Sequence, residues 1–399
     1  MSVRAIAVAA LVLAIPPARA EAQDIPEALQ KAFSRELAPL KPVAFQTPGG
    51  LKGSVEAKAK PSVSANGKSE TVSVDLGTEQ ALSCTLVRSR VDAAALVRSY
   101  VNEIKGRVSI AAIRPVAVSV AAASPVLFAE IVYTTASAEG KRLGHVLLGI
   151  HAHNSRSFVC EHDEPGYEKT FQRVVTGLAA SLAGGGEDDR GGARFREIHV
   201  MRIGEVPVGF TEHVVWNRKG GGRVAKVWTS QLLPRSPTEV VARDSYSEEL
   251  YDAKDLLETG SYAIAGNGEV SARTRVTRAK DGVTYAYEGQ QEGKKLSGTF
   301  TTRAGLATDL WFARRFDKPR GYGPKEEVRA EAYELDANPA GPVEISYQKD
   351  ASRVRGVALT VGPAKLTGVV DDAGIVSESQ MAVGPATLAI ERAFVQGAP

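Results

Sequence analysis

Residues 206–232 read VPVGFTEHVVWNRKGGGRVAKVWTSQL, and their pattern indicates how the second half of the chain folds. Every second residue before the triple glycine falls on one face of an extended strand, namely Val206, Val208, Phe210, Glu212, Val214 and Trp216. Lys219 and the three glycines after it are typical of a turn, and Val224–Leu232 returns as a second strand. The stretch therefore predicts a long antiparallel β-hairpin.

The same alternation continues toward the C-terminus. Two further runs show it: Val283, Tyr285 and Tyr287 share one face of a strand, and Leu296, Gly298 and Phe300 share a face of another. One helix is predicted at Leu306–Phe316, and Asp371–Gly374 is a hairpin-turn sequence. We therefore predict a mainly antiparallel β half-barrel domain for residues 194–399.

The first half, residues 21–183, mixes helical and strand-like patterns. Helical spacing predicts helices at Asp24–Leu37, Val91–Ile104 and Glu164–Leu182, with Asp92 as the N-cap of the second. Strand-like runs lie between them, so we predict an α+β sandwich domain and an α+β class for the whole chain. Residues 184–193 contain five glycines and three acidic residues, which predicts a flexible linker.

Two resemblances follow from these patterns. The strand meander Leu127–His162 and the amphipathic helix Tyr167–Leu182 resemble the PsbP-like family of small exported domains, which bind or assemble rather than catalyse. Ile203–Phe210, the Leu306–Phe316 helix and the Asp371–Gly374 hairpin, closed by Ile390-Glu391-Arg392, resemble the LolA/LolB-like lipoprotein-carrier superfamily. The second resemblance implies a curved sheet around an apolar groove that holds acyl chains, and it carries over no catalytic residue.

The N-terminus predicts export. Residues 1–20 combine a basic start, an apolar run too short to span a bilayer, and an Ala18-Arg19-Ala20 cleavage site, as a signal peptide does. Without that segment's two arginines, the 49 basic residues become 47 against 46 acidic ones. Such a balance argues against nucleic acid or an anionic membrane surface as a partner. No later segment is predicted to cross a membrane, so we expect a periplasmic or secreted protein.

The two cysteines, Cys84 and Cys160, both lie in the first half. An exported protein meets an oxidising compartment, which favours a disulfide between them. Two alternatives stay open on the sequence alone: two free buried thiols, or Cys160 as a metal ligand or nucleophile.

A cluster of potential metal ligands surrounds the second cysteine. His151 and His153 share one strand face, as do Cys160 and His162, and the short turn between the pairs would fold one onto the other. Four nitrogen and sulfur ligands in that arrangement would suit zinc or copper. The alternative interpretation is two polar strand ends beside a turn, with Cys160 in the disulfide.

Large aromatic side chains are the other candidate binding residues. They are Trp216, Trp228, Tyr285, Tyr287, Phe300 and Trp311, and they predict either core packing or the lining of an apolar ligand groove. The sequence has no nucleophile elbow, no zinc-protease motif and no phosphate-binding loop, so no catalytic residue or cofactor is predicted.

We therefore predict an exported, non-enzymatic binding or envelope-assembly protein. Its half-barrel would accept a lipid, another hydrophobic ligand, or a segment of an envelope protein. One alternative is a metal-binding protein or metal-dependent enzyme built on the histidine cluster. The other is a structural or regulatory interaction module.

Overall fold

The computed structural model describes residues 31–67, 69–137, 140–182, 192–316, 327–350 and 352–398. The predicted signal peptide and nearly all of the 184–193 linker lie outside these ranges. Of the predicted helix Asp24–Leu37, the structure describes only the residues from Lys31 onward. The domain boundary therefore stays a prediction.

The described part of the first half contains one small sheet, one large sheet and two helices that pack on the large sheet. A two-stranded sheet contains β1 (Pro42–Gln46) and β2 (Lys52–Glu56). A seven-stranded antiparallel sheet contains β3 (Ser62–Asn66), β4 (Ser69–Val74), β5 (Leu82–Val87), β6 (Ser109–Ala121), β7 (Ser124–Ser137), β8 (Gly140–His151) and β9 (Ser157–His162). Its spatial order is β3-β4-β5-β9-β8-β7-β6. Helices α1 (Ala93–Lys105) and α2 (Glu168–Leu182) pack against opposite faces of this sheet.

The second half is one antiparallel sheet of fourteen strands. Its strands are β10 (Phe195–Ile203), β11 (Val206–Asn217), β12 (Arg223–Ser236), β13 (Glu239–Tyr251), β14 (Leu257–Gly266), β15 (Glu269–Arg278), β16 (Thr284–Gln291), β17 (Lys294–Thr301), β18 (Glu327–Ala332), β19 (Val343–Asp350), β20 (Gly356–Val361), β21 (Ala364–Val370), β22 (Val376–Val383) and β23 (Ala386–Gly397). The order runs from β17 back to β10, then from β23 back to β18. Helix α3 (Asp309–Phe316) lies between β17 and β18 in the chain.

The fourteen-stranded sheet curls back on itself in a barrel-like way. Phe300 of β17 stacks on Tyr333, just after β18, with 6.2 Å between the ring centroids. Tyr333 also contacts Tyr262 of β14, at 5.0 Å. These contacts bring the first and last strands of the sheet close together. We call the concave side, which packs against α3, the inner face, and the opposite side the outer face.

The prediction of an α+β fold with an N-terminal α+β sandwich is wrong. The residues that the structure describes are 60% strand and 11% helix, and both halves are built on large antiparallel sheets. The helical segments exist, but β6, β7 and β8 run for 12–14 residues each and dominate the first half. Helix α2 also begins later than predicted, at Glu168, because Gly166 and Tyr167 have left-handed backbone angles of φ +94° and +64°.

The two halves share one apolar cluster. Buried residues of α1 and of the seven-stranded sheet pack against four residues of the second half, which are Phe210, Leu232, Val240 and Ala242. The backbone N–H of Ile113 also donates to the carbonyl of Pro237, at 2.7 Å. The outer face of the curled sheet is therefore the surface on which the first half packs.

A side chain of the second half caps helix α1. Asp92 stands at the N-cap position but makes no side-chain capping hydrogen bond, contrary to the sequence prediction. Instead the carboxylate of Asp244 in β13 accepts hydrogen bonds from the backbone N–H groups of Ala94, at 3.3 Å, and Ala95, at 2.8 Å. Burial, the largest cause, and the charge of Asp92 raise the pKa of Asp244 to about 6, although the hydroxyl of Ser230 donates to it and opposes this rise.

This buried carboxylate predicts a pH-dependent stability. Because the folded-state pKa lies above the usual 3.8, the folded protein binds more protons than the unfolded one between the two values. Stability should therefore fall as the pH rises from about 4 to about 6, by about 3 kcal/mol at most. Asp244→Asn keeps an acceptor for the helix and should flatten this part of the profile, as urea unfolding at a series of pH values would measure. Parallel profiles for the two proteins would contradict the prediction.

Candidate functional site

The inner face of the curled sheet carries two apolar clusters. The tyrosine cluster is centred on Tyr251, Tyr262, Tyr285 and Tyr333. The methionine cluster is centred on Met201, Met381 and Tyr347, with Phe312 of α3 packed on Tyr347 at 4.6 Å. Strand β10 passes through both, because Phe195 belongs to the tyrosine cluster and Met201 to the methionine cluster.

Between the two clusters lies a band of polar side chains, all buried except the partly exposed Arg392, which we call the polar belt. Its members are Glu197, His199, Thr211, His213, Thr229 and Arg392. Strand alternation puts Glu197 and His199 on the same face of β10 as Phe195 and Met201. The register between β10 and β11 then sets His213 opposite Glu197 and Thr211 opposite His199.

Glu197 is the centre of the belt. Its carboxylate lies 3.3 Å from Nδ1 of His213, 3.8 Å from Nε2 of His199 and 3.7 Å from the guanidinium of Arg392. Arg392 also pairs with Asp371 at 2.7 Å. The hydroxyls of Thr211 and Thr229 share a hydrogen bond of 2.7 Å. Burial lowers the pKa of His199 to about 3, so its imidazole is neutral at physiological pH.

A small cavity of about 20 Å³ lies beside His213 and Glu197, which is room for about one water molecule. Asp309 also lines it, and most of its other lining residues are apolar and come from α3 and from strands across the barrel; they include Leu310, Phe312, Tyr347, Ile375 and Val376. Polar and apolar groups therefore meet at one point inside the curled sheet. Among the residues that the structure describes, no three His, Cys, Asp or Glu side chains are arranged to hold a metal ion.

The six predicted groove aromatics do not form one surface. Tyr285, Tyr287 and Phe300 lie on the inner face in or against the tyrosine cluster. Trp311 of α3 packs against the methionine cluster, with the guanidinium of Arg315 3.3 Å from its ring centroid.

Trp216 and Trp228 face the other way. Trp228 lies opposite Glu212 in the register, and Arg90 of the first half covers its ring at 4.2 Å. Trp216 shares the face of Glu212 on β11, because the two positions differ by an even number of residues. Both tryptophans are therefore on the outer face, away from any ligand inside the sheet.

The predicted metal ligands are also separated. His151 and His153 stack with their ring centroids 5.9 Å apart, but Cys160 is taken up by the disulfide with Cys84. His151 pairs with Phe158 and His162 with Leu147, so the two histidines lie near opposite ends of β9. Four residues of extended strand span about 13 Å, which is too far for ligands of one metal ion. The disulfide itself was predicted and is confirmed.

The polar belt was not predicted from the sequence. His199 and His213 are isolated in the sequence, and isolated histidines on strands are most often core or surface residues. The turn between β10 and β11 is formed by Gly204 and Glu205, with Ile203 opposite Val206, and on its own it would pair Glu197 with Glu212. A β-bulge between Met201 and Arg202 shifts the register by one residue and thereby places His213 opposite Glu197.

Comparisons with known proteins give only distant similarities. No family model matches the chain, and no curated protein matches it. The chain is similar to the crystal structure of a β-barrel-like protein of the domain of unknown function DUF1849 from Brucella abortus, with 8% identity and a TM-score of 0.40; the match covers 51% of this chain and 97% of that one. It is also similar to a DUF1089 family protein from Pseudomonas aeruginosa, with 14% identity, a TM-score of 0.25, and coverage of 42% and 87%. The LolA/LolB-like and PsbP-like resemblances therefore stay predictions.

Proposed function

We propose that this chain is an exported, non-enzymatic binding protein that accepts the hydrocarbon part of an amphiphilic ligand on the inner face of its curled sheet. The observation that carries the proposal is the meeting of two apolar clusters with a polar belt on the inner face of one curled sheet. The cavity of about 20 Å³ beside His213 marks this point, and it must widen to admit a hydrocarbon chain. The first half supports it indirectly, because its described residues pack on the outer face and contribute to neither inner-face cluster.

The disulfide supports the exported location. Cys84 and Cys160 are both fully buried and lie directly opposite each other in β5 and β9. Structural disulfides of this kind persist in oxidising compartments and are rare in the cytosol. None of the helices that the structure describes has the length and apolar character needed to cross a bilayer. The disulfide agrees with the signal peptide predicted from residues 1–20.

Two half-buried tyrosines on opposite faces give a matched test. Tyr287 lies on the inner face against the tyrosine cluster, and Tyr246 lies on the outer face against Trp228. Tyr287→Ala would remove on the order of 50 Å² of apolar contact with a ligand. This loss weakens the binding free energy by about 1.3 kcal/mol and so lowers the affinity about tenfold. Tyr246→Ala should change ligand retention by less than about twofold, because its ring lies outside the sheet.

Native mass spectrometry of the full mature protein, purified without detergent, measures the retained ligand in all three proteins. We expect the wild-type protein to carry a lipid-sized excess mass that is lost on denaturation. This excess mass should be smaller in Tyr287→Ala and unchanged in Tyr246→Ala. A wild-type protein without excess mass, or equal loss in both variants, would contradict the proposal. Circular dichroism should show that both variants remain folded.

A further inference from the structure

Strand β17 forms one end of the fourteen-stranded sheet and has one free backbone edge. It pairs only with β16, and within the described residues no other backbone hydrogen bond involves Lys294–Thr301. Six of its eight residues are exposed, and the other two, Leu296 and Phe300, are half-buried. A free strand edge presents unpaired N–H and C=O groups, so another strand can pair with it.

The turn before β17 decides which residues face this free edge. Glu292 and Gly293 both have positive φ angles, as in a two-residue type I′ turn, and the residues on either side of them pair with each other. In such a hairpin the closing pair is hydrogen-bonded, so the even-numbered residues of β17 direct their backbone groups to β16. The backbone groups of the odd-numbered residues therefore point to the free edge, and these are Lys295, Ser297, Thr299 and Thr301.

A second copy of the same strand fits this edge in one antiparallel register. When Gly298 lies opposite Gly298 of the second copy, the odd-numbered residues of the two strands lie opposite each other and satisfy their backbone groups. The same register sets Phe300 opposite Leu296 of the second copy, at a position where opposing side chains come closest. Among the described residues, Leu296 belongs to none of the four apolar clusters, so this contact would bury a leucine that the single chain leaves half-exposed.

The charges at the two ends of β17 also suit this pairing. Its start carries Lys294 and Lys295, and neither forms an ion pair with a described residue. Beyond its other end lies an ion-pair network of three carboxylates and two guanidiniums, whose members are Arg303, Glu327, Arg329, Glu331 and Glu344. Antiparallel pairing sets the lysines of each copy beside the excess negative charge of the other copy.

The opposite end of the sheet, at β18, is less open. The backbone N–H of Ala307 donates to the carbonyl of Glu331 at 2.7 Å, and Leu306 forms a β-bridge with the same residue, so part of that edge is covered. Pairing of β17 with β18 of another copy would also build open chains, whereas pairing of β17 with itself closes after two copies.

From these observations we propose that two copies of this chain associate through β17, edge to edge and antiparallel, about a two-fold axis at Gly298. The two curled sheets would then continue into each other. Edge pairing of single strands is a narrower contact than the roughly 1,200–2,000 Å² of a standard interface, so we expect a reversible dimer with a dissociation constant on the order of 10 µM. This association does not depend on ligand binding at the inner face.

Sedimentation velocity of the full mature protein, at loading concentrations from about 1 to about 100 µM, tests the association. We expect the wild-type protein to pass from monomer to dimer without larger species. A protein that stays monomeric over this range, or that forms progressively larger species, would overturn the proposal.

Two variants at Thr299 place the contact on the free edge. Thr299→Pro removes an N–H that β16 does not use, so the fold should survive while the dimer weakens at least about tenfold. Thr299→Lys keeps the backbone but adds positive charge to both paired edges, and it should weaken the dimer about fivefold. Thr277→Lys is the matched control, because Thr277 is exposed on the same face of the sheet, two strands further in, and it should leave dimerisation unchanged.

Circular dichroism checks that each variant is folded, and Thr299→Lys carries the test if Thr299→Pro does not fold. If the folded Thr299 variants dimerise as the wild-type protein does, the copies meet elsewhere and the proposal is overturned.

Gly298→Cys tests the register. The two native cysteines are joined to each other, so the introduced thiol is the only free one. On the two-fold axis it faces its own counterpart at a distance that a disulfide spans, once the hydroxyl of Tyr287 moves from the new Cβ. Under mild oxidation we expect a covalent dimer at least about tenfold faster than in the exposed control Thr277→Cys. Equal rates would overturn the two-fold pairing at Gly298.

Discussion

Replacing Cys84 and Cys160 together by alanine is expected to lower the free energy of unfolding by about 4–5 kcal/mol. The two cysteines are 76 residues apart in sequence, and a cross-link that closes a loop of this length removes much of the entropy of the unfolded chain. The bond also lies where one part of the seven-stranded sheet is attached to the rest. Strands β3, β4 and β5 connect to the rest of their sheet through the pairing of β5 with β9, which is where the disulfide is located.

Urea unfolding followed by tryptophan fluorescence measures this loss. The wild-type protein unfolded with and without a reductant is the internal control, because reduction removes the cross-link while both sulfur atoms remain in the core. If the double variant and the reduced protein lose similar stability, the cross-link rather than sulfur packing is responsible. A loss below about 1 kcal/mol in both would contradict the expectation, since it would mean that the unfolded chain gains little freedom.

A second large effect is expected for Tyr285→Ala, which should lower the free energy of unfolding by about 3–5 kcal/mol. The side chain is fully buried, and its ring stacks on Phe300 with 5.6 Å between the centroids. Its hydroxyl donates to the carbonyl of Leu257 at 3.0 Å and accepts from the N–H of Leu306 at 2.9 Å. The residue thereby joins β14 and β16 to the segment that leads into α3.

Tyr285→Phe separates the two contributions. It keeps the ring but leaves the N–H of Leu306 and the carbonyl of Leu257 buried without this partner, so a loss of about 1–3 kcal/mol is expected. Tyr287→Phe is the matched control, because Tyr287 is only half-buried on the same strand face, and it should change stability by less than about 0.5 kcal/mol. Equal stability of wild type and Tyr285→Phe in urea would show that the hydroxyl bonds contribute little.

Local patterns predicted the strands and turns well. The hairpin read from residues 206–232 is β11 and β12, with Trp216 opposite Val224 and the glycines at the turn. The glycines fit because Gly220, Gly221 and Gly222 all have positive φ angles, which other residues rarely adopt. The helix at Val91–Ile104 and the antiparallel class of the second half were likewise visible from periodicity.

Relations between distant segments could not be predicted in the same way. Alternation shows which residues of one strand share a face, but the turn that follows decides which face the next strand presents. The sequence alone therefore does not show whether Trp228 and Tyr285 lie on the same face of the sheet. The polar belt joins β10 and β11 to β23, whose Arg392 is nearly two hundred residues further along the chain. The cap of α1 was assigned to the adjacent Asp92, whereas the structure uses Asp244, 150 residues from Ala94.

That distant cap has a consequence for how the protein is made. A chain is synthesised from its N-terminus, so α1 and the sheet face beneath it exist well before Asp244, Phe210 and Leu232 are available to cover them. Until then the helix start has exposed N–H groups and Leu127, Ile131 and Ile150 have an open apolar surface. Contacts of such long sequence separation form slowly, which lengthens the period of exposure. The newly made first half is therefore the stage at which this protein is most in need of protection from aggregation.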